Sequence, residues 1–547
     1  MSRISKAVKV QRENNILRTN ETHKNFMGGE SYSINPLDTL KMVACSSIFG
    51  EPQYYRKNVC DSKLYSVDGD FSDDFYKGFH DGFDGLSVSQ VFEKAIDDSL
   101  SYDFESTLNF AVTLRTLYNM RLNPQIIMVR AAIHPNRISF TESNRGKFNE
   151  INQKVMFRAD DALAQLTYFM YINGGKKNNI PSVLKRSIAS KLSNLNAYQV
   201  NKYKNHEIGM INAVRVTHAN SEVLNTLMKT GSVDVTESET TWEQKRSSGM
   251  SWKDILETTK LGHMAMRRNL VNIFTEIDDI EFCKKFLEDF KNGVINGKQL
   301  PFEYYSAYRQ VQKSNCNHMS LILDALEECI DISIEHMPKL TGKTMCLSDN
   351  SGSAWGAFTS QYGSVTVAEI DNLSSVIAAR CSDEGYVGKF GDKIIVYPVS
   401  KRNGTLKQAQ EITANRGNDV GPSTEGGIWE FFRDAIKNKT HFDNIFIFSD
   451  QQAGTGGLYG TDFHLRQYSR EYGCKGYSRH INVFKLILEY RKQVNPKVNV
   501  FSVQTAGYTD VLIPDMSYRT AMLTGWTGKE VLFANSYIEQ WDSIENR

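Results

Sequence analysis

The sequence predicts an α + α/β protein, in which a solenoid of paired helices is followed by a doubly wound parallel sheet. Three observations carry this expectation. Amphipathic stretches with helical spacing succeed one another over roughly the first 340 residues. Short apolar, β-rich runs separated by helical stretches replace them afterwards. At 547 residues the chain is also too long for one hydrophobic core and asks for two to four domain-sized units, on the order of 100–200 residues each.

The helical part, 1–341, is clearest in PSVLKRSIASKLSNL. Here Leu184, Ile188, Leu192 and Leu195 recur at spacings of four, four and three and lay an apolar stripe along one face. Pro181 suits a first turn, and Asn194 and Asn196 mark a break before the next helix. Similar stretches occupy 106–120, 158–172, 210–229, 252–275 and 318–337, joined by short polar connectors. No strict sequence period accompanies them, so they read as stacked helix pairs of an α-solenoid. The Gly- and Asp-rich stretch 61–86 lacks periodicity and reads as an exposed acidic insertion. In the second part, 342–547, the strand-like runs are TMCLS (344–348), KIIVYPV (393–399), NIFIFS (444–449) and KVNVFSV (497–503). Helical stretches at 368–380, 425–437 and 481–492 lie between them, the pattern of a parallel sheet covered on both faces.

Composition removes several function classes. With 40% apolar, 23% charged and 11% aromatic residues the chain is an ordinary globular protein. No apolar run approaches the roughly 18 residues of a membrane helix. The N-terminal MSRISKAVKVQRENN has no apolar core of a secretory signal. Eight scattered cysteines without a C-x-x-C pair indicate a reducing, cytoplasmic setting and argue against a disulfide framework or a cysteine zinc site. The net charge of +1 conceals an asymmetry: 60–105 holds twelve Asp/Glu against three Lys, whereas 176–230 holds nine Lys/Arg against two Glu. The second segment is basic enough to attract a polyanion.

Candidate chemistry in the second part gathers at expected strand ends, where open α/β sheets bind ligands. Asp349, Ser351 and Ser353 follow TMCLS in the pattern D-x-S-x-S, Asp450 follows NIFIFS, and Thr424 opens a helix in GPSTEGGIWEFF. Two carboxylates and three hydroxyls form an all-oxygen set of the kind that hard divalent cations such as Mg²⁺ prefer. The constellation resembles the metal-ion-dependent adhesion site of von Willebrand factor A domains. Glu425 follows Thr424 where relatives of such domains usually carry Asp, a departure that bears on ligation by Thr424. Two other motifs lack their context. Thr341-Gly342-Lys343-Thr344 would need Gly at 337 to end a phosphate loop, where Met stands, and GTGGLYG (454–460) fails the dinucleotide spacing.

In the first part, the segment IPSVLKRSIASKLSNLNAYQVNKYKN…INAVRVTHAN (180–220) resembles the central signature of the TROVE module of telomerase-associated, Ro and vault proteins. TWEQKRSSGMSW (241–252), MAMRRNLVNIF (264–274) and QLPFEYYSAYR (299–309) match later blocks of that module in order, and 106–132 fits its earlier helical repeats. A TROVE module followed by a von Willebrand A domain is the architecture of the Ro autoantigen family, and the chain resembles its bacterial members. The resemblance implies a ring of HEAT-like repeats closed by the A domain. Single-stranded 3′ ends of misfolded RNAs would enter the central hole, Y-like noncoding RNAs would bind the basic outer surface, and an exoribonuclease such as polynucleotide phosphorylase would be a partner in RNA quality control. By motif, Lys202 and His218 match positions implicated in RNA contact, and His206 stands near where relatives carry Arg. The basic composition adds Lys185, Arg186, Lys204 and Arg215.

These expectations describe a non-enzymatic RNA-binding protein. A metal-dependent adhesion scaffold is the alternative. A metal-dependent nuclease is the third reading, disfavoured because the Asp349 motif lacks the clustered carboxylates of two-metal phosphodiester cleavage.

Overall fold

The computed structural model describes residues 22–24, 30–32, 35–45, 88–118, 120–205, 208–233, 240–356, 365–422, 424–451, 466–467, 470, 481–505, 518–524 and 528–545. The acidic stretch 61–86, His206 and the GTGGLYG segment lie outside the described residues.

Helices follow one another from Val88–Tyr102 to Met319–Glu335. Helix Ser182–Ser193 shows why they pack: Leu184, Ile188 and Leu192 are fully buried and Leu195 nearly so. Each such side chain taken from water contributes about 1.5–3 kcal/mol. Neighbours in sequence are neighbours in space, as where Phe104–Thr116 packs on Leu122–Ile133, and Pro301–Gln312 on Met319–Glu335. Two of the expected long helices are broken. The stretch 210–229 divides into Met210–Thr217 and Glu222–Thr230, because His218 ends the first in a left-handed conformation (φ 59°) and the Ser221 side chain caps the second. The stretch 252–275 divides into Trp252–Thr258 and His263–Glu276, with Gly262 at the second N-cap.

Two short strands, β1 (Thr22–Lys24) and β2 (Glu30–Tyr32), pair antiparallel near the N-terminus. The main sheet comprises β3 (Leu340–Asp349), β4 (Ser382–Phe390), β5 (Ile394–Pro398), β6 (Asn444–Ser449), β7 (Asn499–Gln504) and β8 (Thr520–Thr524), in the order β5-β4-β3-β6-β7-β8. The sheet is mixed rather than wholly parallel. Strand β5, the expected KIIVYPV run, lies antiparallel to β4 at the edge. The connection Gly391–Lys393, closed by Gly391 N donating to Lys393 O at 3.0 Å, is too short for the crossover that a parallel neighbour requires. The Thr341–Thr344 segment lies within β3, so it forms no phosphate loop.

The helical array begins and ends against the sheet domain. Helix Pro36–Cys45 packs on both Val88–Tyr102 and β8, and the Tyr118 ring lies 3.9 Å from that of Phe533 between centroids. At the other end, Asp331 on Met319–Glu335 accepts from Arg380 at 2.6 Å and from the Thr405 amide at 3.1 Å. Both ends of the helical array thereby contact the sheet domain.

Candidate functional site

Parallel pairing of β3 with β6 places their carboxyl ends side by side, so Asp349 meets Ser449 and Asp450. The Ser449 hydroxyl donates to Asp349 Oδ2 at 2.6 Å, and the Ser351 amide donates to Oδ1 at 2.9 Å. The chain turns back after Asp450 with Gln451 at φ 63°, a left-handed non-glycine residue whose amide donates to Ser449 Oγ at 2.9 Å. The Ser351 and Ser353 hydroxyl oxygens lie 3.2 Å apart at the start of the short helix Gly352–Gly356. Asp349, Asp450 and Ser351 are buried, and Ser353 is half-buried at the mouth.

The chain just before Thr424 is tied to the serine turn, the Gly352 amide donating to Pro422 O at 2.9 Å. Thr424 precedes helix Glu425–Lys437 and is buried, and its side chain makes no capping hydrogen bond. Two glycines allow the helix to approach the end of β4 so closely. A Cβ on Gly426 would stand 2.1 Å from Asp392 O, and one on Gly427 2.6 Å from Phe390 Cβ.

A third buried carboxylate, absent from the sequence expectation, completes the electrostatics. Asp371, on helix Val367–Arg380, is fully buried, and neither of its oxygens has a hydrogen-bond partner among the described residues. The Thr505 hydroxyl nevertheless lies near enough to favour its charged form, without hydrogen-bond geometry. Burial first and the Asp349 charge second hold Asp371 well above the usual carboxylate range. Burial, and then the Asp450 charge, push Asp349 up to about 7 against the pull of the Ser449 and Ser351 hydrogen bonds. Among the described residues no three His, Cys, Asp or Glu side chains gather closely enough to hold a metal by themselves. A cation at this corner would therefore rely on hydroxyl oxygens beside Asp349 and Asp450. The residues fit such an ion, because the donors are all oxygen and crowded buried carboxylates lose their mutual repulsion to a bound charge.

The basic residues of the helical part are distributed more widely. Lys202 ends helix Ala197–Tyr203 and is exposed, its Nζ 5.8 Å from the Tyr198 ring centroid and 5.7 Å from that of Tyr203. Lys204 follows it, half-buried. His218 is exposed at its left-handed helix end, so it is not a core histidine. Its turn is held to the end of helix Ser182–Ser193 by Asn220 N donating to Ser193 Oγ at 3.0 Å. Lys185 and Arg186 lie in the first half of that helix, and Arg215 is exposed on Met210–Thr217. Among the described residues none of Lys185, Arg186, Lys202, Lys204 and Arg215 has an acidic partner. Arg158 joins this region unannounced by the sequence, its guanidinium donating to Tyr203 OH at 2.9 Å.

No family model matches the chain, and no curated protein matches it. Among solved structures it is similar to the crystal structure of the Ro protein of Deinococcus radiodurans. That protein is 14% identical, the match covers 81% of this chain and 93% of that one, and the TM-score is 0.53. At that identity the likeness is one of fold: the chain has a Ro-type fold, helical repeats joined to a von Willebrand A-like sheet.

Proposed function

We propose that the chain is a bacterial Ro protein. In this reading its helical part binds Y-like noncoding RNAs and the single-stranded 3′ ends of misfolded RNAs, without catalysis, in RNA quality control. The observation that carries it is the set of exposed or half-buried cations Lys185, Arg186, Lys202, Lys204 and Arg215, with no acidic partner among the described residues, on a Ro-type fold. Such cations neutralise phosphates without reading sequence, which suits a protein accepting many RNAs. Unpaired ends expose bases for stacking that a duplex conceals. The sheet domain holds a divalent cation, Mg²⁺, through Asp349, Ser351 and Ser353, with Thr424 and Asp450 direct or through water. Such an ion would supply positive charge for a partner's carboxylate. An exoribonuclease is the partner class that would consume RNAs presented in this way, in the cytoplasm.

Two measurements test this. Purified protein should carry RNA, seen as a raised 260/280 nm absorbance ratio, and should shift a tailed RNA in preference to a blunt duplex. Preparations free of nucleic acid that ignore the tailed RNA would leave the adhesion reading. Elemental analysis should find a divalent metal in the parent and none in Asp349→Ala; equal metal in both would refute the metal assignment.

A further inference from the structure

Between helices Lys147–Val155 and Ala159–Ile172 the chain passes through Met156, Phe157 and Arg158. Met156 is buried, but the Phe157 side chain is 74% exposed, more than any other large apolar side chain among the described residues. A single exposed aromatic is commonplace on protein surfaces and by itself means nothing. This one differs in how it is held and in what surrounds it.

Its backbone is pinned on both sides. The Phe157 amide donates to Val155 O at 2.9 Å, and Phe157 O accepts from Lys191 Nζ at 3.2 Å. The Arg115 guanidinium carbon lies 5.5 Å from the ring centroid, and that guanidinium is itself fixed in a buried pair with Asp161 at 3.0 Å. The ring is thus a braced platform. Basic groups lie along its flanks: Arg115 faces the ring, Lys191 bonds the Phe157 carbonyl, and Arg158 follows it in sequence. From Phe157 the path continues without a gap through Arg158 to Tyr203 and on to Lys202, which lies over the Tyr203 and Tyr198 rings.

We propose that Phe157 is a base-stacking subsite for single-stranded RNA, flanked by Arg158, Lys191 and Lys202 as phosphate-neutralising neighbours. The proposal rests on the RNA-binding reading above and adds to it the place where a base sits. A flat apolar face beside Arg158, Lys191 and Lys202 suits a ligand that is both anionic and aromatic. Every nucleobase offers a π-face, so the contact tolerates any sequence. Pre-ordering of the ring means that little side-chain freedom is lost on binding.

The test uses the full-length protein and a fluorescent single-stranded oligoadenylate, with an abasic oligomer of the same length and charge as control. Phe157→Ala should weaken oligoadenylate binding about tenfold, the effect of losing one stacked base, while leaving the salt slope unchanged because no phosphate contact is lost. Phe157→Trp should bind as tightly as the parent or more so, and the abasic oligomer should not distinguish the three proteins. Because the side chain is exposed, both variants should melt with the parent. Parental affinity in Phe157→Ala, or an equal loss with the abasic oligomer, would overturn the subsite while RNA binding stands; the first result would leave the platform to a protein partner. A parent that binds neither oligomer would overturn the RNA reading and the subsite together.

Discussion

Replacing Asp349 by Asn should remove a large part of the sheet domain's loss of stability as pH rises. In the metal-stripped protein the Asp349 carboxyl is buried beside Asp450 and pushed from the ordinary 3.8 up to about 7. Because the folded-state value lies above the unfolded one, the bound proton stabilises the fold. That contribution is whole below about pH 4 and is lost as pH rises through about 7. A rise of this size corresponds to about 4 kcal/mol when ionisation is complete. Asn keeps the acceptor for the Ser351 amide and carries no charge. After chelation, Asp349→Asn should therefore match the parent near pH 4 and exceed it above pH 8 by on the order of 2–4 kcal/mol. For a domain of this size that is a shift of about 5–10 °C in Tm. Adding Mg²⁺ at about a hundred times its Kd should return roughly 2.7 kcal/mol to the parent and nothing to the variant. Thermal melts at half-unit intervals from pH 4 to 8.5, with EDTA and with Mg²⁺, provide the assay. Parallel melting curves for the two proteins at every pH after chelation would refute the electrostatic account of the site.

Three further outcomes follow from the same geometry. Lys202→Ala combined with Lys204→Ala should weaken binding across RNA sequences and reduce the salt slope by about 0.7 per lost phosphate contact, measured from 50 to 300 mM salt, whereas His218→Ala should weaken binding with less change in slope. Asp161→Ala removes the carboxylate that faces the buried Arg115, so the denaturation midpoint should fall by the equivalent of about 3–5 kcal/mol; a variant as stable as the parent would show the pair to be incidental. Gly426→Ala should push helix Glu425–Lys437 away from Asp392 and lower metal uptake through displacement of Thr424, read by elemental analysis against Gly356→Ala, where a Cβ meets nothing within 4 Å.

Much of the architecture is legible in the sequence because burial there follows the period of the backbone. Leu184, Ile188 and Leu192 show one helix face, and the all-apolar centre of NIFIFS shows a strand covered on both sides. Legibility fails where packing overrides propensity. SDEGYVGKF is polar and carries two glycines, yet it forms β4 beside the sheet's central strand. Those glycines are there for the approach of other groups. A Cβ on Gly385 would stand 2.1 Å from Ala379 O, at the end of helix Val367–Arg380, and one on Gly388 would stand between Ile394 and Leu347. The helix breaks at His218 and Gly262 were hidden for a related reason, since apolar spacing continues across them in sequence although the chain changes direction.

The candidate metal corner divides along the same line. Asp349, Ser351, Ser353 and Asp450 are adjacent to strand ends, so a local pattern suffices to find them, and parallel pairing of β3 with β6 brings the two loops together. Asp371 could not be found in this way. It lies in IDNLSS, which by itself has the composition of a solvated helix face, yet Asp371, Asn372, Ser374 and Ser375 are all buried. Asn372 shows how such a face is accommodated: its side chain accepts from the Ser348 hydroxyl at 2.7 Å and from Asn350 Nδ2 at 2.8 Å, beneath the serine turn. Among the described residues Asp371 has no comparable hydrogen bonds and instead faces the charges of Asp349 and Asp450. A buried carboxylate in that position is costly to ionise beside Asp349, and a cation bound at the corner would lower that cost. The affinity of the proposed cation site would therefore depend on a residue on the helix behind it as well as on the five residues that its motif displays.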